Sequence, residues 1–167
     1  MPDKATIERA RKDRREGKSP STQAGEFVRA EIEKIRRGEH GARSPEQAIA
    51  IGLSEARRAG VPLKPPRKGK AKARTRRSAK YAYEAGQHNR RPRRRLRVAR
   101  AVKRALEREP RSTVSRGELS RHARRAASRR SAAARSAAAR KASRTKTGSG
   151  RSAAAKKAAR TRRRRSR

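Results

Sequence analysis

Glu118 is the last acidic residue in the chain, and 19 of the 49 residues after it are Lys or Arg. A stretch with that imbalance has no internal charge to neutralise it, so self-repulsion opposes any compact state. The imbalance grows along the chain: residues 1–64 carry 15 basic and 10 acidic side chains, and residues 65–118 carry 20 and 4. Together these 54 Lys and Arg against 14 Asp and Glu give a formal net charge of +40 over 167 residues. Aromatic residues make up only 2%, so large side chains to bury are scarce. The expectation is an all-α chain in three parts. A small helical head occupies residues 1–64, a basic region of isolated helices and linker follows over 65–129, and a largely disordered Ala/Arg-rich tail fills 130–167.

Three helices are expected in the head. The first, about 4–16, has Asp3 as a candidate N-cap, Gly17 beyond its end and Glu8 four residues before Lys12. Ile7 is its one large apolar residue, which reads as a solvated helix. The second, about 22–37, places Ala24, Phe27, Val28, Ile32 and Ile35 on one face at three- and four-residue steps, with Ser21 or Thr22 at its start and Gly38 at its end. The third, about 45–59, has the clearest punctuation in the chain. Ser44 is the N-cap, Pro45 sits in the first turn, and Ile49, Gly52, Leu53 and Ala56 line one side. Gly60 stops it, Val61 folds back, and Pro62 prevents continuation. Arg43, Arg57 and Arg58 read either as phosphate contacts or as a solvated face. A head this small is marginal in core, which leaves room for a homodimer or a protein partner through residues 22–60.

Beyond the head, "PPRKGKAKARTRR" reads as an extended basic linker. A short helix ending at Gly86 carries Tyr81 and Tyr83, read as packing on a neighbouring helix rather than stacking on bases. A further helix, roughly Arg93 to Glu107 between Pro92 and Pro110, has Val98, Val102, Ala105 and Leu106 on one side. Ser115 and Glu118 then make a capping box opening a helix with Leu119, Ala123 and Ala126 inward and Arg121, Arg124, Arg125 and Arg129 outward.

Three segments, "STQAGEFVR", "HGARSPEQAIAIGLSEARRAGV" and "REPRSTVSRGELSRHARRAA", resemble a family of short, basic bacterial proteins to which no activity is assigned. The resemblance spans residues 1 to about 130 and implies a bacterial cytoplasmic or nucleoid protein. It carries over no functional residue.

The tail repeats "RSAAA" at 130–134, 135–139 and 151–155. The tandem copies space Arg130, Arg135 and Arg140 five apart, so each is turned roughly 140° from the last on a helix. Charge then winds around the axis, the reverse of what a core-facing helix needs. A polyanion answers such a pattern: duplex DNA carries a phosphate charge about every 1.7 Å of axis, and bound cations release its counterions. Neutralised in that way, Ala and Arg favour helix. The Ala-rich basic tail is also similar to those of bacterial histone-H1-like proteins.

No catalytic constellation emerges. The absence of cysteine excludes disulfides, thiolate metal sites and a Cys nucleophile. His40, His88 and His122 have no metal-type spacing, glycines follow no nucleotide-binding pattern, and no cofactor is expected. No apolar run approaches the roughly 20 residues of a membrane span, and the N-terminus lacks a secretory apolar region. The expectation is a non-enzymatic, histone-like DNA-binding protein of the cytoplasm and nucleoid. Its contacts would be Arg121, Arg124, Arg125, Arg129, Arg130, Arg135, Arg140, Lys141, Lys156, Lys157, Arg162, Arg163, Arg164 and Arg165. The alternatives are an RNA- or ribosome-associated binder, or a protein-recruiting adaptor held on the nucleoid by its tail.

Overall fold

The computed structural model of the protein describes residues 3–88 and 96–145, with Lys156 and Ala159. Among them the secondary structure is helical throughout, with no strand: α1 (Lys4–Arg15), α2 (Pro20–Arg37), α3 (Pro45–Arg58), α4 (Ala73–Gln87), α5 (Leu96–Glu107), α6 (Arg116–Ser128) and α7 (Ala132–Thr145), plus a 3-10 turn at Ser112–Val114. The chain divides into two units, Met1–Ser120 and Arg121–Arg167.

Two helices of the first unit open on the same dipeptide. Ser44 Oγ accepts from the Gln47 amide at 3.3 Å, with Pro45 in the first turn. Ser19 Oγ accepts from the Thr22 amide at 3.4 Å, with Pro20 in the first turn. A cap acceptor satisfies one orphan donor, and proline there loses no helical hydrogen bond. Helix α2 therefore starts ahead of the expected Ser21 or Thr22. Helix α3 ends as expected: Gly60 adopts φ 88°, the amide of Val61 donates to Ala56 O at 3.1 Å, and Val61 is buried.

Helices α2 and α3 pack along each other, α1 packs on α2, and α4 packs on α3. Gly52 lies where α3 meets α2, and a Cβ there would approach Val28 Cα to 2.7 Å and Phe27 O to 3.0 Å. Glycine lets the two backbones come together. One apolar cluster joins Ala10, Ala24, Phe27, Ala56 and Val61, with Ile7, Leu53 and Leu63 against it. A second joins Ile35, Ala42, Ala48 and Val114, with Ile32 against it. Five of the nine buried members are alanines, so close helix approach compensates for small side chains.

Several expectations are revised. Helix α1 buries Thr6, Ala10 and Asp13 and is tied to α2 by Arg9 and Glu26 at 2.9 Å; it is a packed helix, not a solvated one. Lys12 lies 4.0 Å from Glu16, in place of the expected pair with Glu8. The packed structure continues past residue 64, because Ala79, Ala82 and Ala85 of α4 are buried and Val114 closes the second cluster. Tyr81 stays 61% exposed, so it does not pack inward. In α6, Ala123 and Ala126 are exposed and no residue is buried. Of the expected tail, Ala132–Thr145 is helical, as its Ala and Arg content favours. Most of the rest lies outside the described residues, as do Pro92 and Arg93 of the helix placed ahead of Glu107. Among the described residues no helix is long and apolar enough to cross a membrane.

Candidate nucleic-acid interface

Of the described cations after Glu118, Arg121, Arg124 and Arg125 ride on α6 and Arg135, Arg140, Lys141 and Arg144 on α7, each helix opened by a serine cap. Ser115 Oγ accepts from the Glu118 amide at 3.3 Å, so the expected box starts α6. Arg121, Arg124 and Arg125 then follow at three- and four-residue steps and share one side of that helix. Its end is closed by the Arg129 amide on Arg125 O at 3.3 Å and the Arg130 amide on Ala127 O at 3.1 Å. Helix α7 starts at once, with Ser131 Oγ accepting from the Ala134 amide at 3.2 Å. The serine of the first "RSAAA" copy is thus a helix cap, a role the S-A-A-A spacing hides because no Glu or Gln completes a capping box. Along α7 stand Arg135, Arg140 and Lys141, the first two turned by roughly 140°.

Every one of these side chains, from Arg121 through Lys141, is exposed, and so is Lys156. Among the described residues, Arg124, Arg125, Arg129, Arg130, Arg135 and Arg140 enter no ion pair. α7 contributes only Ala, Ser and Thr between its cations, so it presents charge and small side chains on all sides. Lys157 and Arg162, Arg163, Arg164 and Arg165 lie outside the described residues.

Several cations in the first unit are placed differently. Lys18 Nζ sits 2.7 Å from Asp13 and 2.8 Å from Glu16, and the hydrogen bond to Asp13 leads in holding its pKa well above the usual lysine value. Arg37 meets Glu39 at 2.8 Å. Of the three arginines read as phosphate contacts or a solvated face, Arg57 is neither. It is buried and donates to Leu63 O at 3.1 Å and Leu53 O at 3.5 Å, bracing the turn after α3. Burial lowers its pKa from the ordinary arginine value. Arg58 is exposed and donates to Ser54 Oγ at 2.6 Å, while Arg43 is exposed beside the start of α3.

One polar pair has no signal in the sequence. Glu31 is 2% exposed, and its Oε1 lies 3.5 Å from His40 Nε2 and accepts no hydrogen bond. His40 Nδ1 faces Gly41 O at 3.0 Å, which fixes Nδ1 as the donor to that carbonyl. Burial raises the Glu31 carboxyl above its ordinary value, with His40 opposing. Among the described residues no group of three or more His, Asp or Glu is placed to hold a metal. Comparison with protein-family models, with curated proteins and with solved structures found no match for this chain.

Proposed function

We propose that the protein is a non-enzymatic, histone-like DNA-binding protein of the bacterial nucleoid that grips the phosphate backbone without reading sequence. The observation that carries this reading is that Arg124 and Arg125 on α6 and Arg135 and Arg140 on α7 are exposed and enter no ion pair among the described residues. A cation without an internal anion gains most from a polymer whose counterions it can displace. Arg121, Arg124 and Arg125 share a side, which suits successive phosphates along one strand. Arg135 and Arg140 diverge, which suits phosphates on different sides of the helix. Exposed arginines on both helices suit contacts that position the protein on the phosphate backbone without specifying sequence. The motifs quoted above support a bacterial setting.

The test is a competition titration at matched salt, with labelled duplex DNA displaced by unlabelled duplexes of unrelated sequence and by structured RNA. The expected result is equal competition among duplexes and weaker competition by RNA. Preference for RNA would transfer the same cations to an RNA-binding role, and strong preference for one duplex sequence would overturn the backbone-only reading.

A further inference from the structure

Helix α5 is the element that the nucleic-acid reading leaves unused. No residue of it is buried, and Leu96, Val98 and Val102 are 67%, 54% and 53% exposed. At about 100° per residue, Val98, Ala101, Val102, Ala105 and Leu106 fall on one side, and Arg97, Arg100 and Arg104 on the other. Arg97 and Arg104 border the stripe along one edge, and Lys103, 3.7 Å from Glu107, along the other. The C-terminal end is tied to the segment between α2 and α3, because Leu106 O accepts from the Gly41 amide at 2.8 Å. A stripe of this kind, held in place yet left in water, marks an interaction surface.

We propose that the α5 stripe centred on Val98 and Val102 docks an acidic amphipathic helix of a protein partner. Charge complementarity selects this occupant. Such a helix covers the valines with its own apolar side and answers Arg97, Arg104 and Lys103 with carboxylates. A nucleic acid answers the cations and leaves the valines wet. A second copy of this chain covers the valines and sets Arg97 and Arg104 against like charges, in a molecule of formal net charge +40. A bilayer surface favours bulky Leu, Phe or Trp on the inserted side, whereas this stripe is mainly Val and Ala, small side chains that let a helix axis approach to about 8–10 Å.

The test uses the full chain and two synthetic peptides of identical Leu and Glu composition. One has Leu at three- and four-residue steps with Glu at the borders; the other has the same residues scrambled. Binding is measured by fluorescence anisotropy at a salt concentration high enough to screen exposed charges. The wild-type chain should bind the patterned peptide about tenfold or more tightly than the scrambled one. The Val98→Ser/Val102→Ser variant should bind both alike, with unchanged helix content by circular dichroism and unchanged duplex affinity. Equal binding of the two peptides by the wild-type chain overturns the proposal, as does a preference that survives the double substitution. Self-association in sedimentation, or binding to phosphatidylglycerol vesicles, that depends on Val98 and Val102 while the patterned peptide gains nothing also overturns it.

Discussion

Arg57 and Arg135 are the same side chain put to opposite uses. Arg57 is buried at the end of α3 and donates to two backbone carbonyls; Arg135 is exposed on α7 and enters no ion pair among the described residues. Around α1 to α3 the basic side chains alternate with acids, so many are neutralised at home, as Lys18 is by Asp13 and Glu16. After Glu118 no acid remains, so the basic side chains there have no carboxylate close in sequence to meet them. The contrast teaches that basic residues here are structural where carboxylates or carbonyls meet them, and that the proposed phosphate contacts are drawn from the exposed ones that follow the last acid.

The largest effect that would break the contrast comes from deleting residues 119–167. Duplex affinity at moderate salt should fall by about a thousandfold or more, while thermal unfolding of the remaining chain stays cooperative. If affinity survives, the interface lies in the first unit. Gly52→Val comes next, since the added side chain strikes the α2 backbone at Val28. It should cost roughly 3 kcal/mol by denaturant unfolding and leave duplex affinity intact when the chain remains folded. Val114→Ala removes the fully buried side chain that closes the second cluster, at a cost of about 2 kcal/mol.

A smaller effect is expected at Glu31. Its folded-state value is raised by burial, so the folded protein keeps the proton where the unfolded chain has released it. Stability should therefore fall as pH rises from the ordinary carboxylate range through the raised value. Glu31→Gln should flatten that slope in melts across mildly acidic to neutral pH and leave the protein no less stable at neutrality. A wild-type profile that rises over the same range would contradict the burial of an uncompensated carboxylate. Finest of all, Arg135→Gln with Arg140→Gln should reduce the magnitude of the salt slope of duplex binding by about 1.8, roughly 0.9 per contact.

Local signals in the sequence are legible where local chemistry decides. Ser44, Pro45, Gly60 and Pro62 each act within one or two turns, and α3 runs from Pro45 to Arg58, one residue short of its expected end. Ser19 and Pro20 carry the same signal at α2, obscured by the serine and threonine that follow. Long-range partners leave no such trace. Val114 enters a cluster with Ile35, Ala42 and Ala48, and Arg36 donates to Val114 O at 3.0 Å across 78 residues. A single valine between polar neighbours shows no periodicity to announce that contact. Ile7 misleads for a related reason: alanine and threonine, Ala10 and Thr6, supply most of the face that α1 buries, and hydropathy underweights both. In the candidate interface, residue counts reveal the cations and helical spacing shows which share a side. The Ser131 cap that starts α7 required the backbone.

The central claim, that the basic residues after Glu118 grip phosphate together, is tested most directly by duplex affinity against salt concentration for the intact protein. With about ten contacts, log K should fall against log salt with a slope of roughly −9. A slope shallower than about −3 would mean that few of these arginines reach phosphate at once, and would contradict the account.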